Sequence, residues 1–196
     1  ILGAGWAAAA GTILALAIKS IVAGLAWRYR RRALQALALG RPRLALHYVD
    51  DALETSSSLG LRYLRAHCQL ADALCVGGAH LPGDALPRRA AADLLQALDE
   101  DPLGALAGYA RGRARLDQGD GAAVREAFDG VVAREPEQPV AWLGRALGHA
   151  LAGDLEPAAA DYRRACQLRN WPSGLDDPPA TPSTPPPTST ADQTSQ

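Results

Sequence analysis

The sequence predicts an all-α protein: about four helix hairpins, preceded by an N-terminal hydrophobic helix and followed by a disordered Pro/Ser/Thr tail. Three observations carry this prediction. The first eighteen residues contain no charge. Small and apolar residues then recur with a 34-residue period at helical spacing. From Pro172 onward Pro, Ser and Thr dominate and apolar residues nearly vanish. Composition agrees: 48% of residues are hydrophobic, much of that is alanine, and there is a single Phe. Alanine favours close-packed helices over strands.

The first element, residues 1–27, is "ILGAGWAAAAGTILALAIKSIVAGLAW". It is long enough to cross a bilayer, and its one charge, Lys19, can snorkel to an interface. Arg28, Arg30, Arg31 and Arg32 follow it and read as a cytoplasmic flank under the positive-inside rule. A signal peptide would carry its basic residues before the apolar run. A core helix of a soluble domain would suit the Ala/Gly content, but residues 1–18 offer no polar face beyond Thr12. The favoured reading is a single-pass anchor with the rest of the chain in the cytoplasm. Gly3, Ala7, Gly11 and Ala15 repeat every four residues. This small-residue ridge would let another transmembrane helix approach closely.

The hairpins are read over residues 28–171, as repeats at about 26–59, 60–104, 105–138 and 139–171. Gly119 and Gly153 are 34 apart, as are Val124 and Ala158, Phe128 and Tyr162, and Val131 and Ala165. Gly40, Ala45, Val49 and Ala52 show the same offsets. The glycine ends one helix in a left-handed conformation. The small residue at +5 lets the second helix approach the first, and the residues at +9 and +12 continue the buried face. Pro102, Pro136 and Asn170 stop the second helices. The second repeat carries an insertion of 11 residues, placed in the loop "CVGGAHLPGDALP".

With Gly40/Ala45/Ala52, Ala90/Ala97/Pro102, Gly112/Gly119/Phe128/Pro136 and Trp142/Ala146/Gly153/Ala158/Tyr162/Ala165, the chain resembles the tetratricopeptide repeat family. Two positions depart from the family pattern: Gly108 replaces an early aromatic, and His149 stands where Tyr is usual. The resemblance implies an α-solenoid whose first helices line a concave groove. Carried over by position, that groove would present Trp27, Arg30, Leu64, Tyr109, Arg113, Leu143 and Leu147 to a peptide or helix of a partner protein. A clamp for a terminal carboxylate, built in this family from Asn, Lys and Arg, is not expected, because Asn170 is the single Asn. An alternative occupant of the groove is the chain itself, through the second-repeat insertion or the tail.

The tail, residues 172–196, cannot bury enough apolar surface to offset chain entropy and is expected to be disordered. Its "TPPPTS" stretch matches a polyproline ligand, with an inert tail as the simpler reading. Net charge is −1, which gives no reason to expect nucleic acid. Three cysteines make no disulfide framework. The absence of Met is expected of a processed or truncated N-terminus. No phosphate loop, zinc-knuckle spacing or catalytic constellation is present, so no enzyme activity, cofactor or metal is expected. His67, Cys68, Cys75 and His80 form a metal-like cluster, but Cys68 and Cys75 are two helical turns apart, too far to share one ion easily. The expected function is therefore a membrane-anchored scaffold that binds proteins and helps assemble a membrane complex. The alternative is a soluble repeat module whose N-terminal helix docks onto a larger assembly without touching lipid.

Overall fold

The computed structural model describes residues 2–75 and 85–175, with residues 2–11 described as backbone alone. Residues 176–196, most of the expected disordered tail, and most of the second-repeat loop with His80 lie outside the described residues. The described residues form α1 (Leu2–Ala38), α2 (Pro42–Thr55), α3 (Leu59–Cys75), α4 (Ala85–Glu100), a 3₁₀ turn at Pro102–Ala105, α5 (Ala107–Gln118), α6 (Gly121–Arg134), α7 (Pro139–Ala152) and α8 (Leu155–Arg169). No strand occurs among them.

The punctuation is local chemistry. Gly40, Gly119 and Gly153 take φ of 64°, 69° and 88°, closing α1, α5 and α7 in the left-handed region that glycine enters without strain. Asn170 (φ 53°) does the same for α8. Asp120 caps α6 by accepting from the Ala123 amide at 3.1 Å. Pro42 and Pro139 occupy the first turns of α2 and α7, where a missing N–H costs nothing.

Each helix packs on its neighbour in sequence, so short connections make antiparallel pairs. The buried faces are those the period predicts: Ala45, Val49 and Ala52 on α2, Ala90 and Ala97 on α4, Val124, Phe128 and Val131 on α6, Ala158, Tyr162 and Ala165 on α8. The tightest point lies around Phe128. A Cβ added to Gly112 on α5 or to Gly144 on α7 would run into the Phe128 ring from opposite sides. The aromatic thus fills the space between two glycines on different helices, and Tyr109 meets it edge-on with ring centroids 6.3 Å apart.

Arginine forks tie the helices across the core rim. Arg65 on α3 donates from Nε and Nη2 to Asp93 on α4 at 2.9 and 2.6 Å, and also pairs with Asp50 on α2 at 3.7 Å. Arg145 on α7 repeats the arrangement, with Asp161 on α8 at 2.7 Å twice and Asp129 on α6 at 3.1 Å. Such bidentate charge-assisted pairs are each worth about 1.5–3 kcal/mol.

The hairpins do not form a simple open row. Hairpin α7–α8 also reaches hairpin α3–α4: α7 packs on α4, and α8 packs on α3. The glycine–Phe128 contact predicts that Gly144→Ala lowers stability by about 1–3 kcal/mol despite the better helix propensity of alanine. Chemical denaturation should read this as a lower midpoint at unchanged slope. An unchanged midpoint would mean that Phe128 can move aside without loss.

Candidate functional site

Two surfaces were expected to carry function: the N-terminal helix and the concave face of the hairpins. The first is one continuous helix. The boundary expected between an anchor at 1–27 and a repeat domain from 28 falls inside α1, which runs unbroken to Ala38. Its last turns hold Ala33, Ala36 and Leu37 in the core against α2, so the same helix is both projecting element and first core helix. The projecting half is uncovered. Ile13, Leu14, Leu16, Ile18 and Ile21 are all more than half exposed. The most apolar 18-residue stretch within Thr12–Ala38 has mean hydropathy 1.3, and none of it is buried. It is thus long and apolar enough to cross a membrane, and it is not a core helix of this chain in its projecting half. Ala15 on the small-residue ridge is exposed; Gly3, Ala7 and Gly11 belong to α1, with surroundings outside the described side chains.

The four arginines after this segment differ in their surroundings. Arg31 stacks on Trp27 with its guanidinium carbon 5.7 Å from the ring centroid, on the exposed side. Arg32 lies 6.0 Å from the ring of Tyr48 on α2, and Arg30 5.8 Å from that of Trp171, beyond the end of α8. Arg28 is exposed.

The concave-groove assignment needs correction. Leu64, Tyr109, Leu143 and Leu147 have no exposed surface at all. They belong to the core and cannot line an open channel. For Leu64, Leu143 and Leu147 the packing of α7 on α4 and α8 on α3 covers the face that an open stack would leave free, whereas Tyr109 packs against Phe128 of its own hairpin. Arg113 is part-exposed and held by Asp99 at 2.8 Å. Trp27 and Arg30 stand apart from these residues on α1. The seven positions therefore do not form one surface.

What covers α3 is the chain's own C-terminal segment. His67 is fully buried, with Tyr162 at 5.5 Å and Trp171 at 5.0 Å between ring centroids, and the Cys166 Sγ 3.7 Å from its Nδ1. The Arg169 guanidinium lies 4.9 Å from the ring centroids of both Tyr63 and Trp171. The Tyr63 hydroxyl donates to Asp101 at 2.8 Å. Residues 173–175, expected to be disordered, instead continue this contact. Ser173 is buried, Leu175 packs on the core, and the Cys75 thiol donates to the Gly174 carbonyl at 3.2 Å. A Cβ on Gly174 would come 3.0 Å from the Leu37 carbonyl, so this residue seals the end of α1.

The metal-like cluster resolves differently from its sequence pattern. His67 and Cys68 are buried core residues, whereas Cys75 is exposed. Among the described residues no group of three His, Cys, Asp or Glu is placed to hold a metal. Burial pushes the Cys68 thiol well above its ordinary range, which makes it an inert hydrophobe. Burial, reinforced by the Arg169 charge, holds His67 well below 6.5, so it is neutral in the core. Its Nε2 has no hydrogen-bond partner among the described residues. The sequence offers self-occupation by the tail as an alternative, but not that α8 and residues 171–175 supply it. The available signals were Trp171 and Leu175, two large apolar residues just past the last repeat.

Set against known protein families, curated proteins and solved structures, the chain matches none of them.

The His67 contact has a pH consequence. The folded state binds its proton less readily than the unfolded chain does, so the unfolded chain is favoured as pH falls through about 6.5. Stability is complete above that value and declines below it. The thermal midpoint should therefore drop as pH goes from about 7.5 to about 5.5, and His67→Phe should flatten that decline. His149, which faces Asp154 and Asp161, is common to both proteins and cancels in the comparison. Equal slopes in the two proteins would refute the assignment.

Proposed function

We propose that the protein is a membrane-anchored helical-repeat scaffold of the tetratricopeptide type, which binds partner proteins and helps assemble or stabilise a membrane complex. One observation carries this reading. From Thr12 to Leu25 α1 exposes a nearly uninterrupted apolar surface, and it is welded without a break to a packed helical domain. A stable soluble surface does not carry such a rod uncovered. Lipid or a partner helix must take it up.

The anchor is placed in the membrane with the arginines at its inner edge, which leaves the hairpins in the cytoplasm. Small-residue spacing at Gly3, Ala7, Gly11 and Ala15 supports a second helix beside it. The 34-residue period and glycine-capped hairpins support the repeat reading. Because the inner face of α3, α5 and α7 is buried, partner contacts fall on the outer surfaces of the hairpins. No catalytic role is proposed.

A soluble module that docks α1 onto a larger assembly is the competing reading, favoured by the Ala/Gly-rich composition of the segment. Alkaline carbonate extraction separates the two. The full chain should stay with the membrane pellet, and Leu14→Arg with Ile18→Arg should release it, since each central arginine costs about 2.5–3.5 kcal/mol of insertion. Release of the unaltered chain would overturn the anchor. Added protease should then digest the hairpins from the cytoplasmic side alone.

A further inference from the structure

The first helix of every hairpin carries an arginine at one register: Arg32, Arg65, Arg111 and Arg145. Arg32, Arg111 and Arg145 each stand eight residues before the capping glycine. Arg65 is matched to them by its partners. The second helix answers this arginine three residues past its small contact residue, at Tyr48, Asp93, Ala127 and Asp161 respectively. Tyr48 meets Arg32 through its ring, while Asp93 and Asp161 receive Arg65 and Arg145 in bidentate forks. The preceding hairpin adds Asp50 to Arg65 and Asp129 to Arg145. At the third hairpin both acids are gone. Ala127 replaces the first and Leu95 the second.

Two further changes fall at the same hairpin. Trp142 covers Arg145 at 4.7 Å, whereas the position 34 residues earlier is Gly108. The room that Gly108 leaves is shared by the Arg134 guanidinium and Val131: a Cβ there would come within 2.7 Å of Arg134 Nη2 and 2.9 Å of Val131 Cγ2. Arg134 itself stands 34 residues before Leu168, so a cation replaces an apolar residue. Arg115 adds a third guanidinium one turn after Arg111, its Nη1 donating to Gln118 at 2.9 Å. Arg111 donates only to the Ala107 carbonyl of its own helix, at 3.3 Å. None of the three makes an ion pair with a described residue, although arginines elsewhere in the protein are repeatedly paired. Arg111, Arg115 and Arg134, with Glu126, Ala127 and Gly130, enclose an open cleft of about 300 Å³ between α5 and α6.

We propose that this cleft is a recognition site for an acidic segment of a partner protein, one of whose Asp or Glu carboxylates takes the place that Asp93 and Asp161 occupy in the neighbouring hairpins. Guanidinium forks match carboxylates in two-point geometry, and this chain already uses that match at the same register twice. Glu126 on the rim disfavours a compact polyanion such as a polyphosphate and tolerates carboxylates spaced along a peptide. The proposal gives the partner-binding half of the scaffold reading a chemistry, and it does not depend on whether α1 enters lipid.

The test uses the full chain in detergent, with fluorescein-labelled hexa-aspartate and hexa-asparagine peptides followed by anisotropy. The acidic peptide should bind and the amide peptide should not. Arg111→Gln and Arg134→Gln should each weaken binding about tenfold, the equivalent of one charge-assisted contact. Arg164→Gln, outside the cleft, should leave it unchanged. Ala127→Asp is the decisive variant. It restores the missing carboxylate in the chain itself, so it should abolish peptide binding while raising the thermal midpoint by about 2–4 °C. Binding that survives Ala127→Asp, or that Arg111→Gln leaves unweakened, would overturn the proposal. So would full displacement of the peptide by millimolar inorganic phosphate, which would assign the cleft to a free phosphate. If the anchor also fails carbonate extraction, the cleft assignment stands or falls on these peptide results alone.

Discussion

The contact between His67 on α3 and the end of α8 organises the rest of the molecule. A row of hairpins buries each helix on one side and leaves the opposite side to water or to a guest. Here α8 and residues 171–175 return to α3, with Tyr162, Cys166 and Trp171 around a neutral imidazole. Gly174 then reaches Leu37 and Cys75, so the C-terminal segment ties the first hairpin to the last. Ring contacts of this kind contribute about 0.5–1.5 kcal/mol each beyond area burial. Their greater effect is on topology, because they join residues 99 positions apart in sequence and convert a local stack into a closed set of helices.

Closure changes which surfaces are exposed. The inner face, with Leu64, Tyr109, Leu143 and Leu147, becomes core. Its former polar rim becomes ion-paired structure, as Arg113 with Asp99 illustrates. What remains free is peripheral: the projecting half of α1 and the outer seams between hairpins. The unbroken course of α1 also couples these regions. At about 1.5 Å per residue its 37 residues make a rod of about 55 Å, fixed at one end by Ala33, Ala36 and Leu37. Whatever takes up the apolar end inherits a defined orientation of the hairpins, with no flexible linker between them.

The parts of this architecture that sequence exposed are those set by short-range chemistry. Gly40, Gly119 and Gly153 announce helix ends because few other residues enter the left-handed region, and Phe128 and Tyr162 repeat at the spacing of one buried face. The repeat period says which helix follows which. It does not say whether hairpin four turns back onto hairpin two, since that depends on a few long-range contacts with no periodicity. Hence the period alone places Leu64 and Leu147 along a groove, whereas they lie in the core. The boundary at Pro172 failed for a related reason: composition averages a window, and Trp171, Ser173 and Leu175 act as individuals within it. His67 was grouped with neighbouring cysteines on sequence proximity, whereas its partners come from α8.

The register arginines differ between hairpins in what holds them. An arginine fork to a half-buried aspartate holds two helices at a fixed offset, as at Arg65 and Arg145. Deleting one acid from such a fork would ordinarily select for losing the arginine as well, because an unpaired cation at a helix seam contributes repulsion and no compensating bond. At the third hairpin the arginine is kept while Asp, Asp and Trp at its partner positions are replaced by Ala127, Leu95 and Gly108. A second arginine, Arg134, occupies the space so made. Core packing favours a small residue at Gly108, where a Cβ would come 2.9 Å from Val131 Cγ2. It does not account for Ala127 and Leu95, since Phe128 between Gly112 and Gly144 already secures α5 against α6 and α7. Holding α5 by a packed aromatic frees its arginine from structural duty. The arginine at the register that staples the neighbouring hairpins is exposed here, and its contact is with the Ala107 carbonyl of its own helix.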